Sequence, residues 1–289
     1  METLDFDDTV AKIKSLEIQG AERIARAAVK AWASKLAETK DRATLEAAAQ
    51  ELMEARATEP GLRNALKFCL ANYEKNPNIS EEVLDYFKTS KEKISEYGAK
   101  KIHDGMIVIT HCHSSTSEGC IIKAWDEGKR FTVYNTETRP RYQGRITAQK
   151  IAEHGIPVEH FVDSGGRMAM KEADLFLFGC DSLSSEGKVI NKIGTRQMLE
   201  FAQKYDVPSY TCTNSWKLNP ETLFGEEEEI EERDSAEVWP DAPKGVKIHN
   251  PAFEVSDPDD ITGVICELGI YKPEALITEV KNAYPWMME

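Results

Sequence analysis

The sequence predicts an α/β protein: an N-terminal helical domain, residues 1–103, then a doubly wound parallel-sheet domain, residues 104–289. Two observations carry this. The first hundred residues are rich in strong helix formers and hold no convincing strand. After Gly105, short apolar runs rich in Ile and Val alternate with helix-like stretches. That alternation is the pattern of a parallel sheet with helices on its faces.

In the helical part, residues 22–40 and 43–56 are Ala-rich and charged, and Gly and Pro gather at breaks such as Pro60-Gly61 and Pro77. Strands are expected at 106–110, 131–135, 158–162, 175–178, 208–213 and 263–266. Helices are expected between most of them, at 117–126, 147–154, 167–172 and 191–204. Residues 226–234 form an acidic run, read as a solvated helix or loop face.

Composition narrows the function. The hydrophobic fraction is 41%, that of a globular chain. No apolar run approaches the roughly 18 residues of a membrane span. Residues 1–8 are acidic and lack the basic and apolar regions of a signal peptide, so a cytoplasmic protein without membrane partners is expected. The net charge of −14 argues against nucleic acid as a partner. An anionic ligand would need locally gathered Lys, Arg and helix N-termini. The six cysteines, at 69, 112, 120, 180, 212 and 266, form no C-x-x-C pair and are expected as reduced thiols. There is no G-x-G-x-x-G and no Walker motif, so neither a nicotinamide nor an ATP enzyme is indicated.

Ligands of open parallel sheets bind outside the carboxyl ends of the strands. Five consecutive expected strand ends carry polar, reactive or small residues: 111–116, 136–140, 163–167, 179–182 and 214–217. Cys112, at the first, is either a buried inert thiol or a base with a lowered pKa near a helix N-terminus. Ser114 is an N-cap or part of a phosphate cradle. His111 and His113 share one face, but no second ligand cluster accompanies them and no metal is expected. Asp181 either caps a turn or is an acid held neutral by apolar walls. Asn191 reads as an N-cap, with Lys192 facing a ligand. Arg23 with Arg26, and Arg139, are candidate anion binders.

Taken together, six segments resemble the superfamily of methylthioribose-1-phosphate isomerase, ribose-1,5-bisphosphate isomerase and the regulatory subunits of eukaryotic initiation factor 2B. They are Ile18-Gln19-Gly20-Ala21 with Arg23-Ile24-Ala25-Arg26-Ala27; Thr110-His111-Cys112-His113-Ser114; Thr136-Glu137-Thr138-Arg139-Pro140 with Gln143-Gly144; Gly179-Cys180-Asp181-Ser182; residues 189–195; and Asn250-Pro251-Ala252-Phe253. The resemblance covers nearly the whole chain.

It implies a Rossmann-like sheet domain and an isomerase with Cys112 and Asp181 as its catalytic pair. It also implies phosphate binding by Gly20, Ala21, Arg23, Arg56, Ser114, Arg139, Asn191, Lys192 and Lys217. The implied substrate is a phosphorylated sugar, ribose 1,5-bisphosphate before others, in nucleoside and AMP breakdown. No cofactor is implied, and the expected assembly is a homo-oligomer, dimer or hexamer. A non-catalytic initiation factor 2B-like binding protein and methylthioribose-1-phosphate isomerase are the alternatives. The chain departs from the ribose-1,5-bisphosphate branch at Glu22, at Ser115 and in Arg56-Ala57-Thr58-Glu59. Each change removes positive charge or adds negative charge near a presumed phosphate.

Overall fold

Five helices come first, and their starts follow from local chemistry. α1 (Phe6–Lys14) begins on Asp5, whose carboxylate accepts the Asp8 amide at 2.8 Å. α2 (Ala21–Glu38) begins after Gly20, whose φ of 89° is cheap only for glycine. α3 (Arg42–Glu54) is capped by Asp41, which accepts the Thr44 amide at 2.9 Å. α4 (Pro60–Asn72) takes Pro60 as its first residue, where no amide is needed. The Pro60-Gly61 pair thus opens a helix as well as ending one. α5 (Ile79–Ala99) follows Pro77. The computed structural model describes residues 4–56, 58–228 and 230–288. Residues 1–3 of the acidic N-terminus, Ala57 of the Arg56–Glu59 stretch and Glu229 of the acidic run lie outside the described residues.

The second part alternates as expected: β1 (Ile107–Thr110), α6 (Ser115–Asp126), β2 (Thr132–Thr136), α7 (Gln143–Glu153), β3 (Val158–Phe161), α8 (Gly166–Glu172) and β4 (Leu175–Phe178). Then come β5 (Ser182–Leu183), β6 (Val189–Lys192), α9 (Thr195–Lys204), β7 (Ser209–Cys212), β8 (Phe253–Ser256), β9 (Gly263–Cys266), β10 (Gly269–Tyr271) and α10 (Pro273–Ala283). Seven strands form one sheet in the order β10-β9-β7-β4-β1-β2-β3, parallel except for β10, which runs antiparallel to β9. All six expected strands are in it.

The second sheet, antiparallel β5-β6-β8, was not expected and overturns one reading. Asn191 and Lys192 end a strand and do not open a helix; they pair with Glu254 and Phe253 of β8. α9 starts only after Gly194, at φ 99°. A Cβ on Gly194 would lie 2.9 Å from the His111 ring, so glycine is required twice over.

The sheet is covered on both faces. In β4, Phe176 and Phe178 point to one side, stacked with ring centroids 4.8 Å apart, into a core shared with α1–α5 and α10. Leu175 and Leu177 point to the other, into a core with Val108, Ile121 and Val133. This two-residue period is that of a strand buried on both faces. No helix among the described residues is long and apolar enough to cross a membrane.

The acidic run is irregular but less solvated than expected. Glu228 accepts from Asn219 Nδ2 at 2.6 Å, Glu231 pairs with Arg56, and Glu232 accepts the Asn250 amide at 2.5 Å.

The strand order fixes where a ligand would sit. From β1 the chain builds outward through β2 to β3, then returns to lay β4 on the other side of β1, with Val108 opposite Leu175 and Ile109 opposite Phe176. Connections therefore diverge between β1 and β4, and the crevice outside their carboxyl ends is the binding position of such sheets.

Candidate active site

Cys112 follows β1 with a φ of 65°. That left-handed backbone costs a non-glycine residue about 1–3 kcal/mol. Two threonines hold it there. The Cys112 amide donates to Thr138 Oγ1 at 3.0 Å, and its carbonyl accepts from Thr147 Oγ1 at 3.0 Å. Asp163 in turn accepts the Thr138 and Arg139 amides at 2.8 and 2.7 Å.

The flanking histidines serve this scaffold. His111 Nε2 lies 2.9 Å from the Ile193 carbonyl, which can only accept, so that nitrogen carries the proton. Its Nδ1 then accepts from Thr136 Oγ1 at 2.6 Å. His113 Nδ1 lies 2.9 Å from Thr147 Oγ1. Thr147 gives its one proton to the Cys112 carbonyl, so His113 is the donor. Burial lowers the pKa of His111; burial with nearby Lys150, Lys91 and Arg23 lowers that of His113 to about 4. No group of three or more His, Cys, Asp or Glu is set to hold a metal ion among the described residues.

Cys112 and Asp181 line one cavity of about 380 Å³. Its walls come from separate elements. Gly20, Ala21 and Arg23 arrive from the start of α2, and Ser114 from the start of α6. Arg56 and Glu59 come from the link between α3 and α4, Asn191 and Lys192 from the end of β6, and Lys217 from beyond β7. The N-termini of α2 and α6 thus reach the cavity, as do those of α4 through Glu59 and α7 through Gln143, and free amides at helix starts favour an anion. Ser114 fills both expected roles of place: it accepts the Ser117 amide at 3.3 Å as N-cap, and it lines the cavity. Gly179 allows the close fit there, since a Cβ would meet Ser114 Cβ at 2.7 Å.

Arg139 is the exception among the predicted residues. It is exposed and turned away, donating to the Tyr142 hydroxyl at 3.0 Å and the Val238 carbonyl at 3.1 Å. Asp163 fixes its backbone in the loop, and the side chain leaves on the far side. Arg26 likewise serves structure, donating to the Leu84 carbonyl at 3.2 Å. Ser115 and Glu22, two of the family departures, meet each other: Ser115 Oγ donates to Glu22 Oε2 at 3.4 Å.

The cations differ in how they are held. Lys192 stands 4.6 Å over the Phe253 ring. Lys217 Nζ donates to the Cys180 carbonyl. The turn carrying Lys217 is anchored below by Glu267, a buried carboxylate that accepts from the Ser215 amide at 3.1 Å, the Ser215 hydroxyl, Tyr86 at 3.0 Å and Tyr284 at 3.2 Å.

Of the two readings of Cys112, the lowered thiol pKa is not found. Burial pushes Cys112 up to about 11, outweighing Lys192 and the His113 amide, which favour the thiolate. Being near a helix start does not offset full burial. Glu59 is also raised, to about 8, by burial first and by Asp181 next. Gln143, Lys150 and Arg233 line the cavity as well. Sequence reasoning gave none of them a role: Gln143 and Lys150 sit on α7, where such residues look like any solvated face, and Arg233 sits in the irregular acidic run.

Residues 13–273 match the model of the Initiation factor 2 subunit family. The chain belongs to that family. A family relative named ribose 1,5-bisphosphate isomerase, from Thermococcus kodakarensis, is 37% identical, over 96% of this chain and 94% of its own. One named methylthioribose-1-phosphate isomerase, from Pelotomaculum thermopropionicum, is 35% identical over 93% of this chain and 83% of its own. The solved translation initiation factor eIF-2B of Pyrococcus horikoshii OT3 superposes with a TM-score of 0.83 at 27% identity, covering 94% of this chain and 98% of that one.

Proposed function

We propose that the chain is an isomerase of the family, converting ribose 1,5-bisphosphate to ribulose 1,5-bisphosphate in nucleoside and AMP breakdown. Cys112 and Asp181 are its acid–base pair. The observation that carries this is their position: they follow the adjacent strands β1 and β4 and line one cavity that helix N-termini reach. The names of the relatives support the same reading. The helical domain, residues 1–103, supplies Gly20, Ala21, Arg23 and Arg56, and the α/β domain, residues 104–289, supplies the rest. The functional unit is a homo-oligomer, dimer or hexamer.

A phosphate on the anomeric oxygen blocks ordinary opening of the sugar ring to an aldehyde. Asp181 as the acid protonates the ring oxygen, and the bond from that oxygen to C1 breaks. Cys112 removes the C2 proton, giving an enol, and returns a proton to C1. The hydroxyl at C2 gives its proton back to Asp181 and becomes the ketone. Protons and bonds balance, and each residue ends as it began. Burial holds Cys112 as a thiol at rest; its proton passes to solvent as the substrate enters, leaving the thiolate that takes the C2 proton, with Lys192 beside it as the stabilising charge, and the thiol is restored from solvent as the product leaves. Lys192, Arg23 and the helix ends hold the phosphates.

The test is turnover of ribose 1,5-bisphosphate by the wild type and by Cys112→Ser and Asp181→Asn. Each variant is expected to lose at least about 100-fold in kcat. Full activity in either removes that residue from the scheme. Faster turnover of methylthioribose 1-phosphate would replace the substrate and keep the chemistry.

A further inference from the structure

Glu59 is the cavity residue the chemistry above leaves unused. It stands at the N-cap of α4, is 3% exposed, and lines the cavity with Cys112 and Asp181. Its Oε2 is buried and has no hydrogen-bond partner. An unsatisfied buried oxygen is destabilising and rarely kept without a reason.

The charged groups facing it are Asp181, Lys217, Arg56 and Glu231. The cations among them are engaged elsewhere: Arg56 by Glu231 through two nitrogens, Lys217 by the Cys180 carbonyl. No described residue satisfies Glu59 Oε2, and the open side is the cavity.

We propose that Glu59 is a specificity-determining residue whose free carboxyl oxygen hydrogen-bonds a hydroxyl of the sugar phosphate bound in the cavity. This rests on the proposed function, which makes a sugar phosphate the ligand. A phosphate offers acceptors and negative charge, so it is a poor partner for a carboxyl. A sugar hydroxyl donates and accepts, and a carboxylic acid does both in return. Glu59 therefore marks where the sugar ring lies, and the helix ends and cations on the other walls mark the phosphates. A site built around a hydroxyl also rejects analogues that lack it.

Charge gives the inference its signature. Burial, and next to it Asp181, push the pKa of the Glu59 carboxyl up to about 8. Below that pH it is a neutral donor; above it, an anion that repels the phosphates. The experiment is the pH dependence of KM and kcat for ribose 1,5-bisphosphate in the wild type, Glu59→Gln and Glu59→Ala, with calorimetric binding of the same compound. Wild-type KM is expected to rise about tenfold from pH 7 to 9.5, while Glu59→Gln stays within about threefold over that range. Glu59→Ala is expected to raise KM about tenfold at pH 7, with kcat changed less than about threefold. If the wild type turns over the bisphosphate and both variants match its KM at every pH, the role of Glu59 is overturned and the isomerase stands. If the wild type neither binds nor converts it, the proposed function falls and takes this inference with it. If a variant fails to fold, calorimetry on the wild type decides: equal affinity for the bisphosphate and for analogues lacking one ring hydroxyl each rejects the inference.

Discussion

Arg56 grips Glu231 with both terminal guanidinium nitrogens, at 2.9 and 2.6 Å, and so ties the end of α3 to the acidic segment ahead of β8. Both side chains are largely buried, at 13% and 23% exposure. Glu231→Ala leaves Arg56 without its partner, and we expect a loss of about 1–3 kcal/mol in urea unfolding. Unchanged stability would mean that the pair is as solvated as an ordinary surface bridge.

The backbone of Cys112 makes a prediction that reverses a common rule. Alanine normally stabilises relative to glycine, but not where φ is positive. At φ 65°, Cys112→Gly is expected to be about 1 kcal/mol more stable than Cys112→Ala. Both lack the thiol, so the comparison isolates the backbone. Equal urea midpoints for the two would show that the strain is absent.

With its pKa near 11, Cys112 should alkylate slowly at neutral pH. Peptide mapping after iodoacetamide treatment at pH 7 is expected to give a rate about 100-fold below that of a free thiol. Lys192 favours the thiolate, so Lys192→Met should slow labelling further. Fast labelling at pH 7 would contradict the buried-thiol picture.

Glu59 shapes stability as well as binding. Its pKa is about 8 folded, against 4.5 as the ordinary value. Between those two the native state holds a proton that the unfolded chain has released, so stability falls as pH climbs from about 4.5 to 8. The full effect is on the order of 5 kcal/mol. His113 works in the opposite sense: its pKa is lowered from 6.5 to about 4, so its contribution grows as pH rises between them. Glu59→Gln isolates the first term. Its stability advantage over the wild type should be near zero at pH 4.5 and greatest above pH 8; a constant difference across that range would refute the assignment.

Two glycines test the packing of α5 on α6. A Cβ on Gly98 would lie 2.2 Å from Cys120 Sγ, deep in the core, whereas one on Gly119 would meet the Ser95 hydroxyl at 2.5 Å. The serine can rotate aside and the buried cysteine cannot. Gly98→Ala is expected to cost about 1–3 kcal/mol and Gly119→Ala less, by thermal unfolding of the two variants.

These contrasts also explain what was legible beforehand. The strands of the main sheet carry their own signal: 175–178 is Leu-Phe-Leu-Phe, buried on both faces, and needs no partner to be recognised. β6 has no such signal. Its residues Asn191 and Lys192 are polar, and only pairing with the sequence-distant β8 makes them strand. Asn191 and Lys192 do line the cavity, but from the end of a strand and not from the start of a helix. Arg139 shows the reverse failure: the motif is real, yet a side chain's direction is set by loop geometry that a motif does not encode. Glu59 stood out only as a departure from the family, because its burial is a property of the assembled walls.

Glu267 has a mechanical consequence. It lies just past β9, yet it joins Tyr86 of α5, Tyr284 beyond α10 and the Ser215 turn that carries Lys217. Sliding any of these three apart would strip donors from a buried carboxylate. That side of the molecule therefore behaves as a fixed jaw. The exposed Gly20 and Arg23, at the start of α2, line the cavity without any bond to that carboxylate.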